Sequence, residues 1–179
     1  MKYKLSVIFL FLCSILFLIY NKFDESNINI LYIGESNTFY KLYNDLDKFE
    51  VNKFLFEDVT YDELNNFIDN NIYKVIKDKY IYLNQEIRKS DIIILNANNF
   101  EYKLKCRRND RVLNEYNFNV NRDINNLISS LNKIVISKIF VIGNHCDNDN
   151  IKLFSDDFVY VRYDELNNIK KILLKYINN

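Results

Sequence analysis

The chain of 179 residues carries 24 basic and 24 acidic side chains, one His, three Cys, two Gly and neither Pro nor Trp. Its length suits one ordinary domain, and 49% apolar with 27% charged residues marks a globular fold rather than a disordered or fibrous one. Zero net charge excludes the basic excess of a general nucleic-acid binder, and without proline- or glycine-rich tracts collagen-like and proline-rich classes are excluded too.

Lys2 and Lys4 precede an apolar run from Leu5 to Tyr20 that holds no charge. As a helix these sixteen residues cover about 24 Å, against a hydrocarbon core of about 30 Å. Snorkelling by Lys4 and Lys22, with Tyr3 and Tyr20 at the interfaces, makes up the difference. Phe17, Leu18, Ile19 and Tyr20 are large where signal-peptide cleavage wants small residues, and Leu12 precedes Cys13 where a lipobox wants a small one. Residues 1–22 therefore read as a signal anchor, one N-terminal transmembrane helix, with a cleaved signal peptide as the alternative. Asp24 and Glu25 follow Lys22, so the positive-inside rule places residues from about 23 onward outside the cytoplasm. The expected localisation is the cell membrane, single-pass, with an extracytoplasmic C-terminal domain. That domain, residues 23–179, holds 21 basic and 24 acidic side chains, a net charge of −3.

Its pattern alternates strands and helices. Ile28 to Ile33 is a short β-branched run ending at Gly34, and Thr38 to Phe49 follows with Phe39, Leu42, Tyr43 and Leu46 at helical spacing. Lys53 to Phe56 is a second strand. Thr60 and Glu63 form a capping box that opens a helix through about Asp69. Tyr82 to Lys89 has a helical period, and Ile92 to Leu95 is an unbroken apolar strand. Asn121 to Ile134 reads as a helix, Lys138 to Ile142 as a strand ending at Gly143, and Phe158 to Val161 as another. Asp164 is expected to cap a final helix to about Ile177. Tyr-Asp-Glu-Leu-Asn-Asn occurs at 61–66 and again at 163–168, which reads as a reused helix opening, since the flanking segments differ.

This succession predicts an α/β fold: a three-layer α/β/α domain around a parallel, flavodoxin-like sheet, with ligands beyond the carboxyl ends of the strands. In a chain biased toward AT-rich codons, Gly34, Gly143 and the single alanine, Ala97, each end an apolar strand. Backbone crowding or positive φ would demand small residues there; ordinary tight turns are the plainer explanation. On that edge Ser36 falls in a strand-to-helix turn, where its hydroxyl can project beside backbone N–H groups. Asn98 offers an amide to the same oxyanion, and His145, the one imidazole, offers a general base.

Ile30-Leu31-Tyr32-Ile33-Gly34-Glu35-Ser36 resembles the first block of the SGNH (GDSL-type) hydrolases, and Asp91 through Phe100 resembles the third. The resemblance covers residues 28–179 and implies a serine ester hydrolase with Ser36 as nucleophile and Asn98 as oxyanion donor. Several positions depart from the family pattern. Glu35 stands for its Asp, Asn96 for its Gly and Asn99 for its second Asp, and Glu57-Asp58-Val59-Thr60 brings no Gly after the second strand. The closing Asp-x-x-His is missing; Arg162-Tyr163-Asp164-Glu165 occupies that place, and His145 comes one strand earlier, with Asp147 or Asp149 to orient it. The active site is thus degenerate, and a catalytically inactive cell-envelope binding module is the alternative function.

His145, Cys146, Asp147 and Asp149 lack the second ligand pair of a zinc site and the Gly and terminal Glu of a calcium loop, so they read as a polar turn. No metal or cofactor is expected, and two glycines leave no phosphate-cradling loop. Cys106 and Cys146 have the compartment for a disulfide, but their pairing stays open. Lys103, Lys105, Arg107, Arg108 and Arg111 form a basic segment suited to an anionic envelope polymer or lipid, or simply a solvated face. The expected partners are the membrane, through the N-terminal helix, and such a polyanion.

Overall fold

The computed structural model describes residues 28–57, 59–97, 122–143 and 158–177. Among them lie β1 (Asn29–Glu35), α1 (Ser36–Leu42) with a 3-10 turn (Tyr43–Asp45), β2 (Glu50–Phe56) and α2 (Tyr61–Asp69). A hairpin of β3 (Tyr73–Ile76) and β4 (Lys79–Tyr82) precedes α3 (Leu83–Lys89) and β5 (Ile92–Asn96). Helix α4 (122–132), β6 (Lys138–Ile142), β7 (Phe158–Val161), a 3-10 helix (Tyr163–Asn168) and α5 (Ile169–Ile177) complete the set.

Five strands pair in parallel in the order β2-β1-β5-β6-β7. Alternation along each strand divides the core in two. Leu31, Ile33, Ile93, Leu95, Ile139 and Val141 face α2, α3 and α4. Ile30, Tyr32, Ile92, Ile94, Phe140 and Ile142 face α1 and α5. Each such Ile or Leu contributes about 1.5–3 kcal/mol by leaving water, so both faces must be covered and the strands read as near-continuous apolar runs. The result is the expected mixed α/β fold, a parallel sheet flanked by helices, consistent with a flavodoxin-like arrangement.

Gly34 lies on β1 at the carboxyl edge of the sheet. It pairs with Asn96 of β5, its φ is 152°, and a Cβ placed on it would lie 1.9 Å from the Asn96 carbonyl oxygen. Crowding and backbone conformation together, rather than an ordinary turn, select glycine at this position.

The capping box appears as expected: Glu63 N–H donates to Thr60 Oγ1 at 3.2 Å, and Thr60 N–H donates to Glu63 Oε2 at 2.8 Å. The second copy of the same hexapeptide behaves differently. It forms the 3-10 helix Tyr163–Asn168, and the α-helix starts only at Ile169, not at a cap on Asp164. The preceding Arg162 has no side-chain acceptor, so Glu165 N–H bonds the Arg162 backbone carbonyl at 3.0 Å, which is the tighter i→i+3 closure.

Other boundaries shift for reasons of pairing. β2 begins at Glu50 rather than Lys53 because it is in register with β1 from Asn29↔Glu50 to Glu35↔Phe56. Helix α1 starts directly at Ser36 and tightens to 3-10 geometry after Leu42, well short of Phe49. The β3–β4 hairpin has no counterpart in the sequence reading; Lys77 and Asp78 adopt φ of 49° and 62° without the Asn-Gly pair that advertises such a turn. Among the described residues no helix is long and apolar enough to cross a membrane, and the expected anchor, residues 1–22, lies outside them.

Two substitutions test these assignments by chemical denaturation. Gly34→Ala is expected to cost about 4 kcal/mol or more, because its Cβ meets backbone that cannot rotate away. Thr60→Ala, which removes one cap acceptor, is expected to cost about 1 kcal/mol.

Candidate functional site

The candidate site lies at the carboxyl edge of the sheet. With strand order β2-β1-β5, successive crossovers leave β1 toward opposite neighbours, so the β1–β5 junction is the topological switch point. Gly34 and Asn96 meet there, and the chain passes from Glu35 straight into α1 at Ser36. Ser36 is half-buried at the first helical position, Asn37 is exposed and Thr38 is buried. The serine therefore stands at a strand-to-helix junction on the edge where it was expected.

Beneath it lies a buried polar seam. Tyr32, fully buried, donates its hydroxyl to the Glu35 carbonyl at 2.8 Å and lies 3.4 Å from Asn96 Oδ1. Asn96 Nδ2 donates to the Ile142 carbonyl at 3.4 Å, and Tyr61 Oη donates to the same carbonyl at 3.0 Å. Gly143 N–H reaches the Val161 carbonyl at 2.9 Å, which ties the end of β6 to β7. Buried polar groups of this kind are costly unless bonded, so the seam fixes the strand ends that a site here would use. Glu35 is itself buried, at the end of β1.

Tyr32 has its pKa pushed well above the usual tyrosine value. Burial is the main cause, the Glu35 carboxylate adds to it, and a hydrogen bond with the Thr38 hydroxyl opposes it. The phenol is thus held neutral as a donor to the Glu35 carbonyl.

Asn98 and His145 lie outside the described residues, as do His145's neighbours Cys146, Asp147 and Asp149, the basic segment Lys103, Lys105, Arg107, Arg108 and Arg111, and Cys106. The described chain leaves β5 at Ala97 and β6 at Gly143, both on the carboxyl edge. Of the sequence-derived site residues the structure describes Ser36 alone. Tyr32, Asn96 and Tyr61 were not anticipated. A tyrosine inside an otherwise aliphatic strand was the available signal, because a buried phenol takes a hydrogen-bond partner.

Tyr32→Phe is expected to cost about 1 kcal/mol at neutral pH, read by denaturant unfolding. Because the folded pKa is raised, the stability Tyr32 contributes through its proton is complete below the ordinary value of about 10 and is lost as pH climbs toward the folded value. The variant should therefore lose less stability than the wild type above about pH 10.

In comparison with known proteins, no family model matches the chain and no curated sequence is similar to it.

Proposed function

We propose that the protein is a membrane-anchored, extracytoplasmic SGNH-like serine ester hydrolase with a degenerate active site, acting on a lipid or acylated-glycan ester. Residues 1–22 tether it and residues 23–179 form the catalytic domain. Ser36 attacks the ester carbonyl, Asn98 donates to the oxyanion, and His145 takes the serine proton and returns it to the leaving alkoxide. The alcohol then departs, and water hydrolyses the acyl-serine by the same route in reverse. The observation that carries this reading is the contact of Gly34 with Asn96 at the switch point. It runs β1 and β5, the described parts of the two segments that resemble family blocks, side by side, and Ser36 follows the end of β1 on that edge.

A second reading, a catalytically inactive envelope-binding module, is favoured by one particular residue. Asn96, where the family has glycine, turns its amide inward to Tyr32 and the Ile142 carbonyl. That amide is engaged within the fold, so it adds no donor for an oxyanion at this edge.

Covalent labelling of the full-length protein by a fluorophosphonate probe separates the two. The hydrolase reading expects labelling that Ser36→Ala abolishes without changing the circular dichroism spectrum. A folded wild-type protein that ignores the probe overturns it and leaves the binding module.

A further inference from the structure

Ser36 begins a stripe along α1. Tyr40, at i+4, and Tyr43, at i+7 in the turn that follows, share its helical face. Helical side chains lean toward the N-terminus, which carries Tyr40 toward the serine. Both tyrosines are exposed, 63% and 54%, and both rest on the buried Phe39 ring, 5.9 Å and 5.8 Å away between centroids. Among the described residues the exposed large aliphatics are Val75, Ile76 and Ile136, none of them on α1, so the flank beside Ser36 is aromatic rather than aliphatic.

A charge from the neighbouring strand enters this group. Lys53, half-buried on the edge strand β2, brings its ammonium within 4.6 Å of the Phe39 centroid, 5.9 Å of Tyr43 and 6.0 Å of Tyr40. The ring faces attract the cation without accepting conventional hydrogen bonds. Among the described residues no carboxylate or carbonyl oxygen accepts a bond from Lys53 Nζ, so its three N–H donors are left to solvent or to a ligand.

We infer that Tyr40, Tyr43 and Lys53 form a subsite for an acidic sugar, so that the ester at Ser36 belongs to an acylated acidic glycan. The ester itself rests on the hydrolase reading above. A sugar ring stacks its C–H face on a tyrosine and bonds the phenol through its hydroxyls, while its carboxylate meets the Lys53 ammonium. An acyl chain laid on the same flank would strip water from that ammonium and return no acceptor. Length separates a glycan from a phospholipid headgroup. Seven residues of helix set Tyr43 about 10 Å along the axis from Ser36. Two linked sugars cover such a span, whereas the phosphate of a phospholipid adjoins its glycerol esters.

Calorimetric titration of the full-length Ser36→Ala protein in neutral detergent micelles tests the subsite without turnover. The probes are tetragalacturonate, the uncharged xylotetraose, and glycerophosphoglycerol, a phospholipid headgroup. Support is binding of tetragalacturonate in preference to the other two, weakened roughly tenfold by Tyr40→Ala and roughly tenfold by Lys53→Met. Lys53→Arg should keep most of the affinity, and Tyr73→Ala, an exposed tyrosine on the β3–β4 hairpin, all of it. Tetragalacturonate that does not bind, or that binds Lys53→Met equally well, overturns the subsite. Tighter binding of glycerophosphoglycerol also overturns it and assigns the flank to a lipid headgroup. The hydrolase is read separately, by fluorophosphonate labelling of the wild type. A protein that ignores that probe yet holds tetragalacturonate through Tyr40 and Lys53 loses the esterase and keeps the acidic-sugar site. Labelling without tetragalacturonate binding keeps the esterase and rejects the site.

Discussion

The close approach of two backbones at Gly34 and Asn96 is the constraint from which the rest of the domain follows. A parallel sheet gains its stability from burial on both faces, but its usefulness lies at one edge, where the strands stop and helices begin. There β1 must end, turn and enter α1 without a loop while β5 continues beside it. No side chain fits between them. Because Gly34 is fixed in this way, Ser36 takes its place at the start of α1.

The polar seam beneath the edge performs a different task. Tyr61 reaches the Ile142 carbonyl from the helix layer on one side of the sheet, and Asn96 reaches it from the strand alongside. Tyr32 joins Asn96 to the end of β1. Three strand ends are therefore held in relation to one another by hydrogen bonds that water cannot replace without entering the core. A hydrophobic edge would be equally stable but less specific about where each strand ends.

Much of this was legible in the sequence. β6 and β7 match their apolar runs because a charge or a polar stretch bounds each at both ends, and β5 runs one residue past its own, to Asn96. The capping box announced α2 through chemistry that is local and complete within four residues. The repeated hexapeptide shows the limit of such reasoning, since identical residues form an α-helix after Thr60 and a 3-10 helix after Arg162. The residue before the repeat differs in chemistry, since Thr60 Oγ1 accepts the Glu63 N–H and a guanidinium has no acceptor to offer. The hairpin escaped because its exposed face is as apolar as its inner one, which erases the alternation that signals a half-buried strand. At the site, Ser36 was visible as a strand-to-helix residue, whereas the Tyr32–Asn96 pairing joins positions 64 apart that no local pattern connects.

The strand order also bears on how the protein is made. Among the described strands β1 is the first to leave the ribosome, yet it ends in the interior of the sheet, flanked by β2 and β5. β2 follows after one short helix and can pair early. The other flank waits: Asn29 N–H donates to Asp91 Oδ2, 62 residues later in the chain. Until that stretch has emerged, one edge of an apolar strand has no neighbour, and such edges recruit strands from other chains. The nascent domain must therefore pass through an interval in which a strand destined for the interior of the sheet is its most adhesive surface.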